Sequence, residues 1–213
     1  MSMKPPEPAA VAETRLLHKM HRVATSLLAD AAQRDSAPLP MLGELRDFLV
    51  AALRHHHESE DDELWPQLIA ADPAAGPGLT ALNREHDALD SGLDALAAAP
   101  VRDDADRPAL AAAAAAVRDL VHEHLDHEEP VLFPVLAAHM SDLAWAAFSQ
   151  KVIASAPPVN AHLNIGFFEQ VGTPAELAVV TANLPQPVLQ LVPVMRQQAR
   201  ATLDSLRERT VTS

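Results

Sequence analysis

From about Val11 to Arg34 apolar residues return every three or four positions, with Leu17, Met20, His21, Ala24, Leu27 and Leu28 along one stripe, and this spacing predicts an amphipathic helix. Asp35-Ser36-Ala37-Pro38-Leu39-Pro40 breaks the pattern. A second helix is predicted from Met41 to Ala70 on the stripe Leu45, Leu49, Leu53, His56, Glu60 and Leu64. Asp72-Pro73 through Gly76-Pro77-Gly78 separates it from a third, Leu79 to Ala98, with Leu82, His86, Leu89, Leu93 and Leu96 in line. Beyond the polar loop Pro100 to Arg107, Pro108 takes a first-turn position before an alanine-rich helix that runs to about Ala138. Four helices joined by short connections predict an all-α protein with an up-down-up-down four-helix bundle over residues 11–140.

The remaining residues, 141–213, are predicted to form a helical extension that packs on the bundle or on a partner. Asp142 to Ser155 reads as a helix with Leu143, Trp145, Phe148 and Val152 apolar, stopped by Pro157-Pro158. Thr173-Pro174-Ala175-Glu176 combines a capping threonine, a first-turn proline and a glutamate at the third helical position, which signals another helix start. A last amphipathic helix is predicted from Pro187 to Arg209, with Leu189, Val192, Ala199, Leu203 and Leu206 on one side.

Polar residues on the apolar stripes of the bundle carry the chemistry. His56, Glu60, Asp61, Leu64, Trp65, Pro66 and Leu68 recur as His124, Glu128, Glu129, Leu132, Phe133, Pro134 and Leu136, at one constant offset, since 124 − 56 = 136 − 68 = 68. Residues four apart lie above one another on a helix, so each copy sets an imidazole beside a carboxylate. The first and third helices also match loosely when His21 is aligned with His86, so the repeated unit is a helical hairpin. At roughly 1.5 Å per residue, counting from the two turns brings all these histidines to nearly one level.

Nine of the eleven histidines fall in four clusters on four different helices, and the selected ones lie on buried stripes, where a polar group needs a partner. His21, His56, Glu60, His86, His124 and Glu128 are therefore the predicted metal ligands. His57, beside His56 and three before Glu60, is an additional candidate, and His18, one turn before His21, a further one. Two carboxylates from opposite helices suit a pair of cations that share them, and nitrogen with oxygen donors admits Fe, Mn, Co or Zn. Four imidazole nitrogens and four carboxylate oxygens fill about eight of the roughly twelve positions of two six-coordinate ions, leaving room for solvent or a small ligand. Asp61 and Glu129 read either as solvated charges or as acceptors for the second N–H of a ligand histidine. His55, His122 and His127 read as surface or supporting groups.

Composition narrows the function further. A formal charge of −13 with only 16 Lys plus Arg, and no basic run interleaved with aromatics, argues against nucleic acid and anionic membranes as partners. The absence of cysteine excludes disulfides, thiolate metal sites and iron–sulfur clusters. No stretch approaches a membrane span, and the first fifteen residues lack the apolar core of a leader, so a cytoplasmic protein is expected.

The pattern of His21, then His56-x-x-x-Glu60, then His86, then His124-x-x-x-Glu128 on successive helices resembles the hemerythrin-like family, or HHE cation-binding domain. The resemblance covers about residues 11–140. It implies a bundle of hemerythrin type holding two non-haem iron ions with a solvent-derived oxo or hydroxo bridge, and a small-molecule partner such as dioxygen, hydrogen peroxide or nitric oxide. Catalase-like removal of peroxide is one activity it allows; a sensor whose ligation state alters the C-terminal helices is the alternative. The chain differs from the oxygen-carrying hemerythrins of invertebrates, which place two histidines four apart on the third helix where this chain has Leu82 and His86, and which end in His-x-x-x-x-Asp where it has His124-x-x-x-Glu128.

Overall fold

A computed structural model describes residues 7–182 and 184–208, which are helical with no strand among them. Helix α1 spans Ala9–Ala32 and α2 spans Leu39–Ser59. The second rod continues through a π-helical turn, Glu60–Leu64, into α3, Trp65–Ala71. Helix α4 spans Gly76–Ala98 and α5 runs unbroken over Arg107–His139, through Pro130 and Pro134. Helices α1 and α5, α4 and α5, α1 and α2, and α2 and α4 pack side by side, which closes the ring of the four-helix bundle. The repeat extends to the helix ends: α2 begins at Leu39 and α5 at Arg107, again 107 − 39 = 68 positions apart, with Pro40 and Pro108 each in the first turn, where a missing N–H costs nothing.

Four further helices follow: α6 Asp142–Ser155, α7 His162–Val171, α8 Pro174–Ala182 and α9 Gln186–Arg207. The Thr173 capping box forms as the sequence implies, with Thr173 N–H donating to Glu176 Oε2 at 2.7 Å and Glu176 N–H to Thr173 Oγ1 at 3.3 Å. Helix α7 was not expected from periodicity. The predicted end of the last helix, Arg209, and the Pro-rich residues 1–6 lie outside the described residues.

Two apolar clusters fill the bundle. One gathers Met20, Leu28, Leu45, Phe48, Leu49, Leu93, Val117 and Val121 with Leu163, Phe167, Leu203 and Leu206 from α7 and α9. The other gathers Val11, Leu64, Trp65, Leu68, Leu79, Leu132 and Leu136 with Trp145 and Phe148 from α6. Both clusters thus recruit the C-terminal helices. Phe48 and Phe167 stack at 6.0 Å, and α7 lies so close to α9 that a Cβ on Gly166 would come within 2.6 Å of Ala199 Cβ. On each rod, the histidines and glutamates singled out by the sequence fall where the two clusters meet. None of the described helices is long and apolar enough to cross a membrane.

Candidate metal centre

The layer between the apolar clusters is polar and almost fully buried: His18, His21, His56, His57, Glu60, His86, His124 and Glu128 are all sealed from solvent. Two groups of side chains converge there. His57, His86 and His124 each bring one ring nitrogen within 4.8 Å of the others, and His18, His56, Glu60 and Glu128 do the same with one ligand atom each. The two carboxylates lie between the groups. Glu60 turns Oε1 toward His56 Nε2 at 3.5 Å and Oε2 toward His86 Nε2 at 3.6 Å. Glu128 turns Oε1 toward His18 Nε2 at 3.7 Å and Oε2 toward His124 Nε2 at 3.1 Å.

Most of these separations are too long for hydrogen bonds. They match donors shared by one cation, because two ligand atoms about 2.1 Å from an ion and near a right angle apart stand roughly 3 Å from each other. The bonding inventory agrees. His18 Nε2, His56 Nε2, Glu60 Oε2 and both oxygens of Glu128 are buried without a hydrogen-bond partner among the described residues, although buried polar atoms are almost always paired. His86 Nε2 and His124 Nε2 face each other at 3.2 Å, while each ring directs its Nδ1 to a carboxylate, Asp61 at 2.9 Å and Glu85 at 3.0 Å. With Nδ1–H donated outward, both inner nitrogens present lone pairs. A cation satisfies such facing lone pairs, so the residues fit a metal.

Charge within the layer is unevenly placed. Burial, reinforced by Glu128 and Asp61, pushes the Glu60 carboxyl well above its ordinary range. Burial acts on Glu128 too, but His18, His124 and His86 outweigh it and hold that carboxyl below its ordinary value. Burial and the surrounding rings hold His21 down to about 3 and His56 and His57 well below the usual imidazole value. His124 is raised, its burial outweighed by Glu128 and Glu85. Neutral imidazoles are the form that binds metal.

Of the six residues first selected, His56, Glu60, His86, His124 and Glu128 fall in the two groups, and His57 and His18 join them. His21 does not. It is buried beside His56, ring centroids 4.9 Å apart, with neither nitrogen hydrogen-bonded. The helical repeat explains the exchange, because 86 − 18 is also 68: in the register that relates every other pair, the counterpart of His86 is His18. Their surroundings match, for His18 Nδ1 meets Glu129 at 3.2 Å as His86 Nδ1 meets Asp61, and Glu129 and Asp61 are themselves counterparts. The alignment of α1 with α4 on His21 has an offset of 65, three short of the 68 shared by the other pairs.

Sequence reasoning left Asp61 and Glu129 with two readings, and the second, as acceptors of imidazole N–H, is the one their geometry fits. It missed Glu85 and Asp90, the latter 3.5 Å from His57 Nδ1. His127 is exposed and shares Glu85, while His122 contacts the Arg22 carbonyl and His55 the Ser155 hydroxyl.

Comparison with protein families matches residues 12–136 to the hemerythrin HHE cation binding domain. No curated protein and no solved structure matches the chain.

Proposed function

Since this chain belongs to the hemerythrin HHE cation-binding family, we propose that it holds two non-haem iron ions and binds a small oxidant: dioxygen, hydrogen peroxide or nitric oxide. One ion would be held by His18 and His56 and the other by His57, His86 and His124, with the oxygens of Glu60 and Glu128 within reach of both groups. The observation that carries this reading is the way each buried glutamate divides its two oxygens between the two groups of imidazoles. Iron bound there supplies a redox centre and a Lewis acid.

The chain's own part is to hold and to exclude. Asp61, Glu85, Asp90 and Glu129 orient the rings from behind by accepting or facing Nδ1. Leu64, Trp65 and Leu132 are buried next to the layer, and Phe133 stacks on His18 at 5.9 Å, so the ligand space is dry and suits a small molecule rather than an organic substrate. Ions that kept a position for an exogenous ligand would favour removal of peroxide over reversible carriage. Metal analysis of the purified chain is expected to find about two irons, and added peroxide to evolve gas in wild type but not in Glu60→Ala. One zinc and no iron would abandon the oxidant reading.

A second reading, a sensor, is supported by the polar tie between the second rod and the C-terminal helices. Glu44 of α2 accepts a hydrogen bond from Thr202 at 2.8 Å and meets His162 Nε2 at 3.2 Å, and its carbonyl accepts from Asn160 at 2.9 Å. A shift of α2 on ligation would pull on α7 and α9. Identical protease sensitivity of residues 160–208 in every redox and ligand state would remove this reading.

A further inference from the structure

The two groups of imidazoles are supported unequally from outside. In one, every ring turns Nδ1 to a carboxylate: His86 to Asp61, His124 to Glu85 and His57 to Asp90, at 2.9, 3.0 and 3.5 Å. In the other, His18 has such a support, Glu129 Oε1 at 3.2 Å, but that oxygen also accepts from Arg22 at 2.6 Å, and Arg22 reaches Asp126 at 2.8 Å. Among the described residues no hydrogen bond or ion pair connects His56 to a carboxylate behind its ring, and the acid it meets is Glu60, on the inner side. The repeat itself encodes the difference. The position 68 beyond Arg22 is Asp90, and that beyond Leu17 is Glu85 (22 and 17 become 90 and 85). Where one half carries a cation and an apolar side chain, the other carries two acids.

A carboxylate that accepts Nδ1–H fixes the tautomer with its Nε2 lone pair inward and makes that nitrogen a stronger donor. Negative charge behind the ring also favours a cation in front of it, whereas Arg22 offsets Glu129. Neighbouring cations do not cancel this on the acidic side: Arg54 attracts Asp90 but is itself paired with Asp94, and His127 is an exposed sharer of Glu85. Glu60 and Glu128 serve both groups alike and do not discriminate between them.

We propose that the two cation positions are unequal and fill in order, the first divalent ion entering at His57, His86 and His124 and the second at His18 and His56. This rests on the dinuclear reading above. The test is a calorimetric titration of the metal-free full chain with Co(II), followed in parallel by visible absorption, together with anomalous diffraction from crystals given one equivalent of Co(II).

Two binding steps are expected, the first at least about tenfold tighter, with the single-equivalent anomalous peak at His57, His86 and His124. Asp61→Asn and Glu85→Gln should each weaken binding at His57, His86 and His124 about 10- to 100-fold, which narrows or inverts the two steps, and leave the affinity at His18 and His56 unchanged; Glu129→Gln should weaken the latter position and widen the gap. Helical circular dichroism checks that each variant folds, and Asp90→Asn, at a half-exposed side chain, probes the same position if another variant does not. Two ions bound with a single constant, or a first ion at His18 and His56, overturns the order and leaves the dinuclear reading standing. Fewer than two ions overturns both.

Discussion

The stretches His56 to Leu68 and His124 to Leu136 have the same key residues at the same spacing, and the folded chain treats them differently. The first widens into the π turn at Glu60–Leu64, where Trp65 N–H reaches back to the Glu60 carbonyl, and then restarts as α3 around Pro66. The second stays α-helical through two prolines. The glutamates diverge as well. Burial raises both, but Glu60 looks onto Glu128 and Asp61 and goes up, while Glu128 looks onto three imidazoles and goes down. A motif places a carboxylate on a face; the residues that other helices bring opposite decide its charge. The two carboxyls are therefore biased in opposite directions, Glu60 toward its protonated form and Glu128 toward its ionised one.

If the layer holds metal as proposed, its removal should produce the largest effect, because the buried donors of Glu60, Glu128, His18 and His56 would lose their partner. A site held at a thousandfold excess over its Kd contributes about 4 kcal/mol, so chelation should lower the melting temperature on the order of 10 °C. An unchanged melt would mean that the layer holds no metal. In the stripped chain the inequality should then be measurable. Glu128→Gln removes the carboxylate that His18, His124 and His86 meet on their inner side, leaving Glu129, Glu85 and Asp61 behind the rings, and should cost about 3 kcal/mol in urea unfolding, whereas Glu60→Gln replaces a carboxyl that burial already biases toward its neutral form and should cost less than about 1 kcal/mol. Equal losses would break the comparison between the copies.

Four helices, their order and the duplicated His-x-x-x-Glu were legible because buried faces impose a 3.6-residue period that polar ligands must share. For α1 the sequence offers two registers, the offset of 68 that links His18 to His86 and the looser apolar match around His21, and the geometric grouping favours the first. Glu85 and Asp90 were not legible, since a carboxylate on the flank of α4 becomes a support only when α5 and α2 bring His124 and His57 against it. Helix α7 was missed for a similar reason. Its ten residues carry no capping side chain, and its buried pair, Leu163 and Phe167, is specified by α1, α2 and α9 rather than by a repeating stripe.

Acid should expose the unequal rings next. His21, His56 and His57 are held neutral in the fold, with His21 at about 3, while an unfolded histidine takes a proton near pH 6.5. Below that pH the unfolded chain binds more protons, so stability falls as pH drops from about 6.5 toward 3. Glu60 and His124, both raised, act in the opposite sense and offset part of the loss. The metal-free chain should lose on the order of 2 kcal/mol between pH 7 and 5.5. His57→Leu, which installs the residue its counterpart has at Leu125, should flatten that slope.

The smallest expected effect separates the two histidines of α1. In the register of the repeat, His18 corresponds to His86 and His21 to Leu89, so one half of the bundle has an apolar residue where the other buries a ring with two unpaired nitrogens. An unsatisfied buried polar group costs about 1–3 kcal/mol, and leucine would remove that cost while keeping the packing of Leu89 as its precedent. His21→Leu should therefore leave the metal content at two and raise the stability of the metal-free chain by about 1 kcal/mol, and His18→Leu should lose an ion. If His21→Leu is the variant that loses metal while His18→Leu retains both ions, then the inner end of α1 follows the looser alignment on His21, and the shared offset of 68 stops short of the first helix.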